Sequence, residues 1–394
     1  MGKNLSIIEG MDVYRPDVDG VINCMHNYCL NLYDKSKLTV IVPKNKKGYV
    51  DNFPYKINRC KSLKMPIINN YYGFPKLDKK FKKEIESKQY DIVHFHSPFN
   101  MGNYCAKIAK QQNIPLVSTF HTNMYQIFVD IVKSKRVAGL GCKYLARLYN
   151  KCDEVFVCSP LVEAQARQCG YTGKITYLPF GTELPKCENV EENIQKANQE
   201  FNLTDDELVF VYVGRVMKLK RIDFILDSLK LVKEKGIKFK FYVVGKGAYL
   251  KKLQKQAAKL GFTENEVIFT GFLPREHFPL ILSRADLLLF PSLYDNFGLV
   301  KVECAAFDTP GLYIENSCAG YDVNNNHNGY LSKDTIQNYA NKIVEIVSDR
   351  QKLKQVGINA GKELYISWSD CTKRLLERMT QICEEHKTKS QEKK

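Results

Sequence analysis

A chain of 394 residues is too long for one small module, and at about 100–200 residues per domain it accommodates two domains with cores of their own. Hydrophobic residues at 44% and charged residues at 26% lie near globular averages, which excludes a disordered chain and a fibrous repeat. The net charge is +16, and residues 1–184 hold 27 basic and 15 acidic side chains, so +12 of the excess sits in the first half.

A basic half calls for an anionic partner: a membrane surface, nucleic acid or a phosphorylated substrate. Nucleic acid is disfavoured, because the lysines fall in no zinc spacing, helix-turn-helix signature or aromatic-glycine platform. Thirteen scattered cysteines without a CxxC pair indicate neither a disulfide framework nor a zinc module, and read as reduced thiols of a cytoplasmic protein. There is no cationic leader ahead of a short apolar core, and no run approaches the ~18 apolar residues of a spanning helix. Gly2 with Ser6 matches the myristoylation pattern, a match discounted because residues 5–8 read as a buried first strand.

Short apolar runs alternate with helical periods, the pattern of parallel sheets with crossover helices. In the first half the predicted strands are 5–8, 38–42, 91–95, 116–120, 154–158 and 175–178, with helices over 103–112 and 126–149. The polar stretch 185–206 reads as a linker. A second alternation follows, with strands at 209–213, 239–244, 267–270 and 286–290 and, after the first of them, a helix whose Ile222, Ile225, Leu226, Leu229 and Val232 share a face. Residues 367–383 read as a last helix carrying Trp368, Leu375 and Met379, and the charged tail from Glu384 is expected to fray. The fold class is α/β, two doubly wound domains whose ligand crevices are expected to share a cleft.

Two features carry chemistry. Gly214 and Arg215 follow strand 209–213 directly, with Lys220 five residues past Arg215. A guanidinium and an ammonium converging there suit phosphate oxygens, and a solvated basic turn is the plainer alternative. In PSLYDNFGLVKVE, Asp295 precedes a helix opened by Gly298 and Glu303 lies nearly two turns inside it, so the two carboxylates are placed to accept from hydroxyls on separate parts of an extended ligand. A cap plus an exposed acid is the alternative for that segment taken alone.

The ordered series GRVMKLKRID, VVGKGAYLKKL, FTGFLPREH, ADLLLFPSLYDNFGLVKVECAA and the Gly329 of HNGYL resembles the donor-binding half of family 4 retaining glycosyltransferases of the GT-B fold. PDVDGV, DIVHFHSPF and VSTFHT resemble the acceptor half, and in particular the bacterial diacylglycerol glucosyltransferase branch. The resemblance runs from about residue 5 to about residue 383. It implies an acceptor domain at 1–184, a linker at 185–206, a nucleotide-sugar domain at 207–365, a helix at 366–385 packing back toward the N-terminal domain, and a charged tail at 386–394.

By position, the resemblance implies that Arg215 and Lys220 hold the diphosphate of a nucleotide-sugar, expected to be UDP-glucose. It implies that Phe297, Gly298 and Leu299 present amides to phosphates and sugar. Asp295 accepts from sugar hydroxyls, Glu303 from the ribose, and the Gly245–Gly247 loop approaches the base where a side chain would obstruct. Asp19 and Gly20 form a flexible loop facing sugar and acceptor, with His121 and His96 on the same side. His94 and His96 share one strand face and with His121 could ligate zinc; lacking a third ligand at a recognised spacing, no metal is expected, and no cofactor. Asp17–Asp19 spells the DxD of metal-dependent transferases, in the wrong place for that role.

The expected activity is transfer of a hexose to a membrane lipid such as diacylglycerol, by an enzyme peripheral on the inner face of the cell membrane, its oligomeric state left open. The basic residues Lys79, Lys80, Lys82 and Lys83 with Phe81 and Ile85 are a candidate docking patch, a solvated helix face being the alternative. A polysaccharide or lipid-linked oligosaccharide acceptor keeps the same chemistry. A nicotinamide-dependent oxidoreductase is disfavoured, since neither domain opens with GxGxxG after its first strand.

Overall fold

The computed structural model describes residues 4–17, 19–45, 49–65, 70–274 and 276–392; Gly2, Val18 and Arg275, which belong to motifs above, lie outside them. The chain divides into two units, residues up to Phe180 joined by the segment from Trp368, and Gly181–Ser367.

In the first unit a seven-stranded parallel sheet runs in the order Ile57–Cys60, Lys37–Pro43, Ser6–Gly10, Ile92–Phe95, Leu116–Thr119, Glu154–Val157 and Ile175–Tyr177. The central strands are buried throughout, the pattern expected of a parallel sheet covered on both faces. The strand order reverses between Ser6–Gly10 and Ile92–Phe95, which opens a crevice beyond their carboxyl ends.

Three expectations need correcting here. The helix expected over 126–149 is two, Met124–Val132 and Lys135–Tyr149, because Lys133 adopts φ 53 and Ser134 caps the second helix at Val137 N. The tail expected to fray from Glu384 continues the helix Trp368–Glu392, held by an Arg378 fork on Glu154 at 2.8 and 2.7 Å and by Arg378 Nη1 on Glu385 at 2.9 Å. In the helix Lys79–Glu86, Phe81 and Ile85 are buried, so the apolar side of the expected docking patch belongs to the core.

In the second unit six parallel strands run Val267–Gly271, Lys240–Val244, Val209–Val213, Leu287–Phe290, Gly311–Ile314 and Tyr330–Ser332, again reversing between the third and fourth in this order. Residues 185–206, expected as a linker, contain the helix Val190–Glu200. Asn189 caps it at Glu192 N, Ala197 is buried, and Asn193 Nδ2 donates to Ser283 Oγ at 3.1 Å. Polar composition there serves caps and an exposed face rather than an unstructured connection. The strands Ile57–Cys60, Gly311–Ile314 and Tyr330–Ser332 and the hairpin Ser62–Met65 with Asn70–Gly73 have no counterpart among the expected elements.

Candidate active site

In the second unit, the two strands flanking the reversal hand their chains to Gly214–Arg215 and to Pro291–Asp295. Gly214 takes φ 146, in the region glycine favours, and a Cβ there would lie 3.0 Å from Tyr212 Oη, which donates to Arg215 O at 3.1 Å. The turn is thereby fixed while the Arg215 side chain stays exposed, with no hydrogen bond or ion pair among the described residues. Lys220 closes the 3₁₀ turn Lys218–Lys220, and its ammonium donates to Asp295 Oδ1. The two side chains are only 12% and 19% exposed. The other carboxylate oxygen, Asp295 Oδ2, is buried and has no hydrogen-bond partner among the described residues. Leaving such an acceptor unmet costs about 1–3 kcal/mol, a debt that a ligand hydroxyl would remove.

Gly245 and Gly247 meet a steric demand within the protein itself. A Cβ at Gly245 would stand 1.9 Å from Gly214 O, and one at Gly247 2.1 Å from Val216 O. The loop is laced to the Gly214 turn by Gly214 N to Val244 O at 3.0 Å and Val216 N to Lys246 O at 2.9 Å. The close approach is backbone to backbone within the protein.

Phe297, Gly298 and Leu299 lead into the short helix Leu299–Ala305, with Gly298 at φ 74. This segment is fastened from below by Lys301, which is 2% exposed. Its ammonium donates to Ala319 O at 2.9 Å, pairs with Asp322, and lies 4.9 Å from the centre of the Phe297 ring. Sequence reasoning misses Lys301; a lysine between Val300 and Val302, in a helix whose one other charge is Glu303, is the signal that could have found it. Glu303, partly exposed yet densely surrounded, has its carboxyl pushed up to about 7 by burial and then by the neighbouring Glu183 charge.

In the first unit, Asp19 is the N-cap of the helix Gly20–Leu32, its Oδ1 accepting from Ile22 N at 2.8 Å; the expected flexible loop is here a helix start. A Cβ at Gly20 would meet nothing within 4 Å, so no steric demand requires glycine there.

At the strand reversal Glu9 stands in register with His94 on the next strand. His94 Nδ1 meets Glu9 Oε1 at 3.0 Å, His96 Nε2 meets Glu9 Oε2 at 2.8 Å, and His96 Nδ1 meets His121 Nε2 at 2.8 Å. Thr119 Oγ1 lies 2.8 Å from His94 Nε2. Burial alone would raise the Glu9 carboxyl, but the His94 charge and the bonds from both histidines outweigh it and hold it at about 2. Burial, reinforced by His94, brings His96 down to about 4, and burial with its two histidine neighbours puts His121 well below its ordinary value.

The tautomers follow by assignment from the network. An ionised Glu9 only accepts, so His96 carries its proton on Nε2. A neutral His96 then offers a lone pair at Nδ1, which accepts from His121 Nε2–H. His121 is left with an acceptor lone pair at Nδ1, and its ring is sandwiched between those of His96 and Phe180, with centroids 5.1 and 5.5 Å away. Glu9, His94 and His96 do bring three ligand-type atoms within 4.8 Å of one another, a set a small metal ion could use. Their mutual hydrogen bonds account for that closeness, and His121 stands beyond the His96 ring, outside the set.

Two doubly wound parallel units, one with cationic and carboxylate side chains gathered where its strand order reverses, define a double α/β enzyme of the kind that binds a nucleotide at a strand edge. Residues 18–184 match the family described as Glycosyltransferase Family 4, and residues 193–363 match Glycosyl transferases group 1. Together the two matches span most of the chain, which is a glycosyltransferase of GT4 type and of the GT-B fold. It is 27% identical over 311 residues to an alpha-monoglucosyldiacylglycerol synthase of Streptococcus pneumoniae, spanning 76% of this chain and 68% of that one. It is 27% identical over 247 residues to the synthase of the same name from Acholeplasma laidlawii, spanning 59% of this chain and 60% of that relative. The structure of Anabaena HepE in complex with UDP-glucose shares the fold at a TM-score of 0.73 and 18% identity, over 96% of this chain and all of the other.

Proposed function

We propose that the chain is a retaining hexosyltransferase that moves glucose from UDP-glucose to a membrane lipid of the diacylglycerol type, working as a peripheral protein at the inner face of the cell membrane. The observation that carries the donor half of this reading is Asp295, whose buried Oδ2 awaits a hydroxyl while its Oδ1 is held by Lys220. Both lie where the strand order of the second unit reverses, the place a doubly wound sheet binds ligands. The names of the two relatives, both glucosyldiacylglycerol synthases, and a basic first half support the acceptor.

In this reading Arg215 and Lys220 neutralise the diphosphate, Asp295 accepts from the sugar and Glu303 from the ribose. Phe297, Gly298 and Leu299 line the sugar and phosphates, and Gly214, Gly245 and Gly247 hold the loops that carry them. His121, kept in one tautomer through His96, serves the reacting sugar, while Asp19 and Gly20 border it. The bond from the sugar's anomeric carbon to the diphosphate breaks, and UDP leaves with the electron pair. The acceptor hydroxyl oxygen bonds to the same face of that carbon, and its proton passes to the departing phosphate oxygen. Positioning and electrostatic support of the leaving group then supply the rate, with no covalent nucleophile required.

The test is incubation of the purified protein with a panel of labelled nucleotide-sugars and a lipid extract, followed by chromatography of the organic phase. Label from UDP-glucose in a lipid product is expected. Label confined to water-soluble product overturns the lipid acceptor, and label from another sugar alone overturns the donor.

A further inference from the structure

We infer that the exposed face of the helices Met124–Val132 and Lys135–Tyr149 is a docking surface for an anionic lipid bilayer. The first helix, MYQIFVDIV, is apolar at seven of nine positions, yet none of its residues is buried. It lies on the second helix through Phe128, whose ring carbons would be 3.0 Å from a Cβ at Gly141. Ile131 is left 70% exposed. On the second helix Ala138, Cys142, Leu145 and Ala146 turn into the core, while Val137, Leu140 and Tyr144 recur at i, i+3 and i+7 on the outside. Leu140 and Tyr144 are each 68% exposed. An apolar row of this length facing water marks a surface with a partner.

Charge decides which partner. Across residues 124–149 there are five basic side chains and one acidic, Asp130, which accepts from Gln126 Nε2 at 3.0 Å. Lys133, Lys135, Arg136, Lys143 and Arg147 are all exposed and interleave with the apolar row, and the Arg147 guanidinium sits over the Tyr144 ring at 5.8 Å. At a bilayer surface the apolar side chains enter the acyl boundary while long basic stems reach back to headgroup phosphates. A second copy of the chain would set five cations against five, which repels. The helix Lys79–Glu86 offers no apolar face, because Phe81 and Ile85 are in the core, and its lysines are interrupted by Glu84 and Glu86. The inference deepens the lipid-acceptor reading and rests on it for its purpose, since an acceptor dissolved in a bilayer has to be met at the interface.

The experiment is co-sedimentation with vesicles of equal phosphatidylglycerol and phosphatidylcholine, against vesicles of phosphatidylcholine alone, at low and high salt. The protein is expected to partition at least tenfold more strongly into the anionic vesicles. The triple change K133E, K135E and R136E should cost at least tenfold at low salt. The pair Ile131→Asp and Leu140→Asp should cost at least tenfold at both salt levels. All five positions are exposed, and the thermal midpoint of each variant is expected to match the parent. Transfer to an acceptor dispersed in detergent micelles should be unchanged in both variants. Equal partitioning of the parent into the two vesicle types, parent-like binding by both variants, or a solution dimer that the Ile131/Leu140 change dissociates would each overturn the docking surface. Failure of the parent to glucosylate any micellar lipid overturns the acceptor reading alone, and the vesicle data still decide the surface.

Discussion

Lys220 and Asp295 form an ion pair that joins the two loops flanking the strand reversal of the second unit, and the pair leaves one carboxylate oxygen of Asp295 buried without a partner among the described residues. On the proposed reading the ammonium serves the diphosphate and that oxygen the sugar, so the pair holds the site open for a ligand that meets both. Lys220→Ala removes a phosphate ligand and strips the Asp295 carboxylate of the one side-chain partner it has among the described residues. The expected loss in kcat is about 10²-fold, on the scale of deleting one donor from an oxyanion site. Arg215→Ala, which changes an exposed guanidinium, should lose a similar factor without lowering the thermal midpoint. Asp295→Asn can still bond a hydroxyl but not hold Lys220, and should raise KM for the donor more than Arg215→Ala does. Near-parental steady-state kinetics in both Lys220→Ala and Arg215→Ala would reject the assignment.

Glu9 touches no substrate in this scheme and acts by holding His96 in the tautomer that accepts from His121. Glu9→Met keeps the volume and removes the acceptor, so His96 and then His121 become free to exchange tautomers. Nitrogen-15 shifts of the His121 ring are expected to change from a single Nε2–H form to a mixture, and transfer to fall ~10²-fold, within the range for a displaced acid–base group. Glu9→Asp retains a carboxylate and should preserve the parental tautomer in part. A variant that is merely loosened would lose stability but leave the His121 nitrogen signature alone, and that outcome would remove Glu9 from the scheme.

Much of this fold is legible in the sequence because parallel strands buried on both faces are written as unbroken apolar runs. The strand Val209–Val213 is read to the residue, and the parallel pairing in each of the two large sheets follows from the alternation. What escapes is of two kinds. Gly311–Ile314, four residues between Pro310 and a polar loop, is too short to announce a period. Glu9 is the single charge of its strand and Lys301 shares its helix only with Glu303, and their meaning depends on neighbours distant in sequence: His94 and His96 for the one, Ala319 and Asp322 for the other. At Gly245 and Gly247 the space a Cβ would need is filled by Gly214 O and Val216 O, a contact between segments distant in sequence that no local pattern announces.

The C-terminal helix supplies a stability test away from the chemistry. The Glu154 side chain is 1% exposed, and Arg378 meets both of its oxygens while Lys174 adds a third contact at 3.0 Å. Removing one partner of a buried pair costs about 3–5 kcal/mol, and the remaining lysine lowers the expectation for Arg378→Ala to roughly 2–3 kcal/mol. Burial pushes the Glu154 carboxyl up, but its bonds to Arg378, Thr176 and Lys174 win and hold it below the usual range. A depressed carboxyl stabilises the fold above its unfolded pKa and loses that contribution as pH falls. The gap in thermal midpoint between parent and Arg378→Ala should therefore be full at pH 7 and shrink toward pH 4. A gap independent of pH would mean the arginine acts through packing alone.

Glu303 gives a pH dependence of the opposite sign. Its carboxyl is raised to about 7 by burial and by Glu183, so the neutral form is the one the ligand-free fold prefers. Its contribution to stability is full below the ordinary carboxyl range and is lost as pH rises through about 7. Glu303→Gln, which mimics the neutral form, should match the parent at pH 5 and exceed it at pH 8, by on the order of 3 kcal/mol at most at about 1.4 kcal/mol per unit. Ligand binding runs the other way. A ribose hydroxyl donates best to the ionised carboxylate, so UDP affinity should climb by up to about tenfold per unit as pH approaches 7 from below and level off above it. In Glu303→Gln the calorimetric profile between pH 5.5 and 8.5 should be flat and weaker at the alkaline end. A parental affinity that does not move across that range would separate Glu303 from the nucleotide, while the stability difference would still report its buried proton.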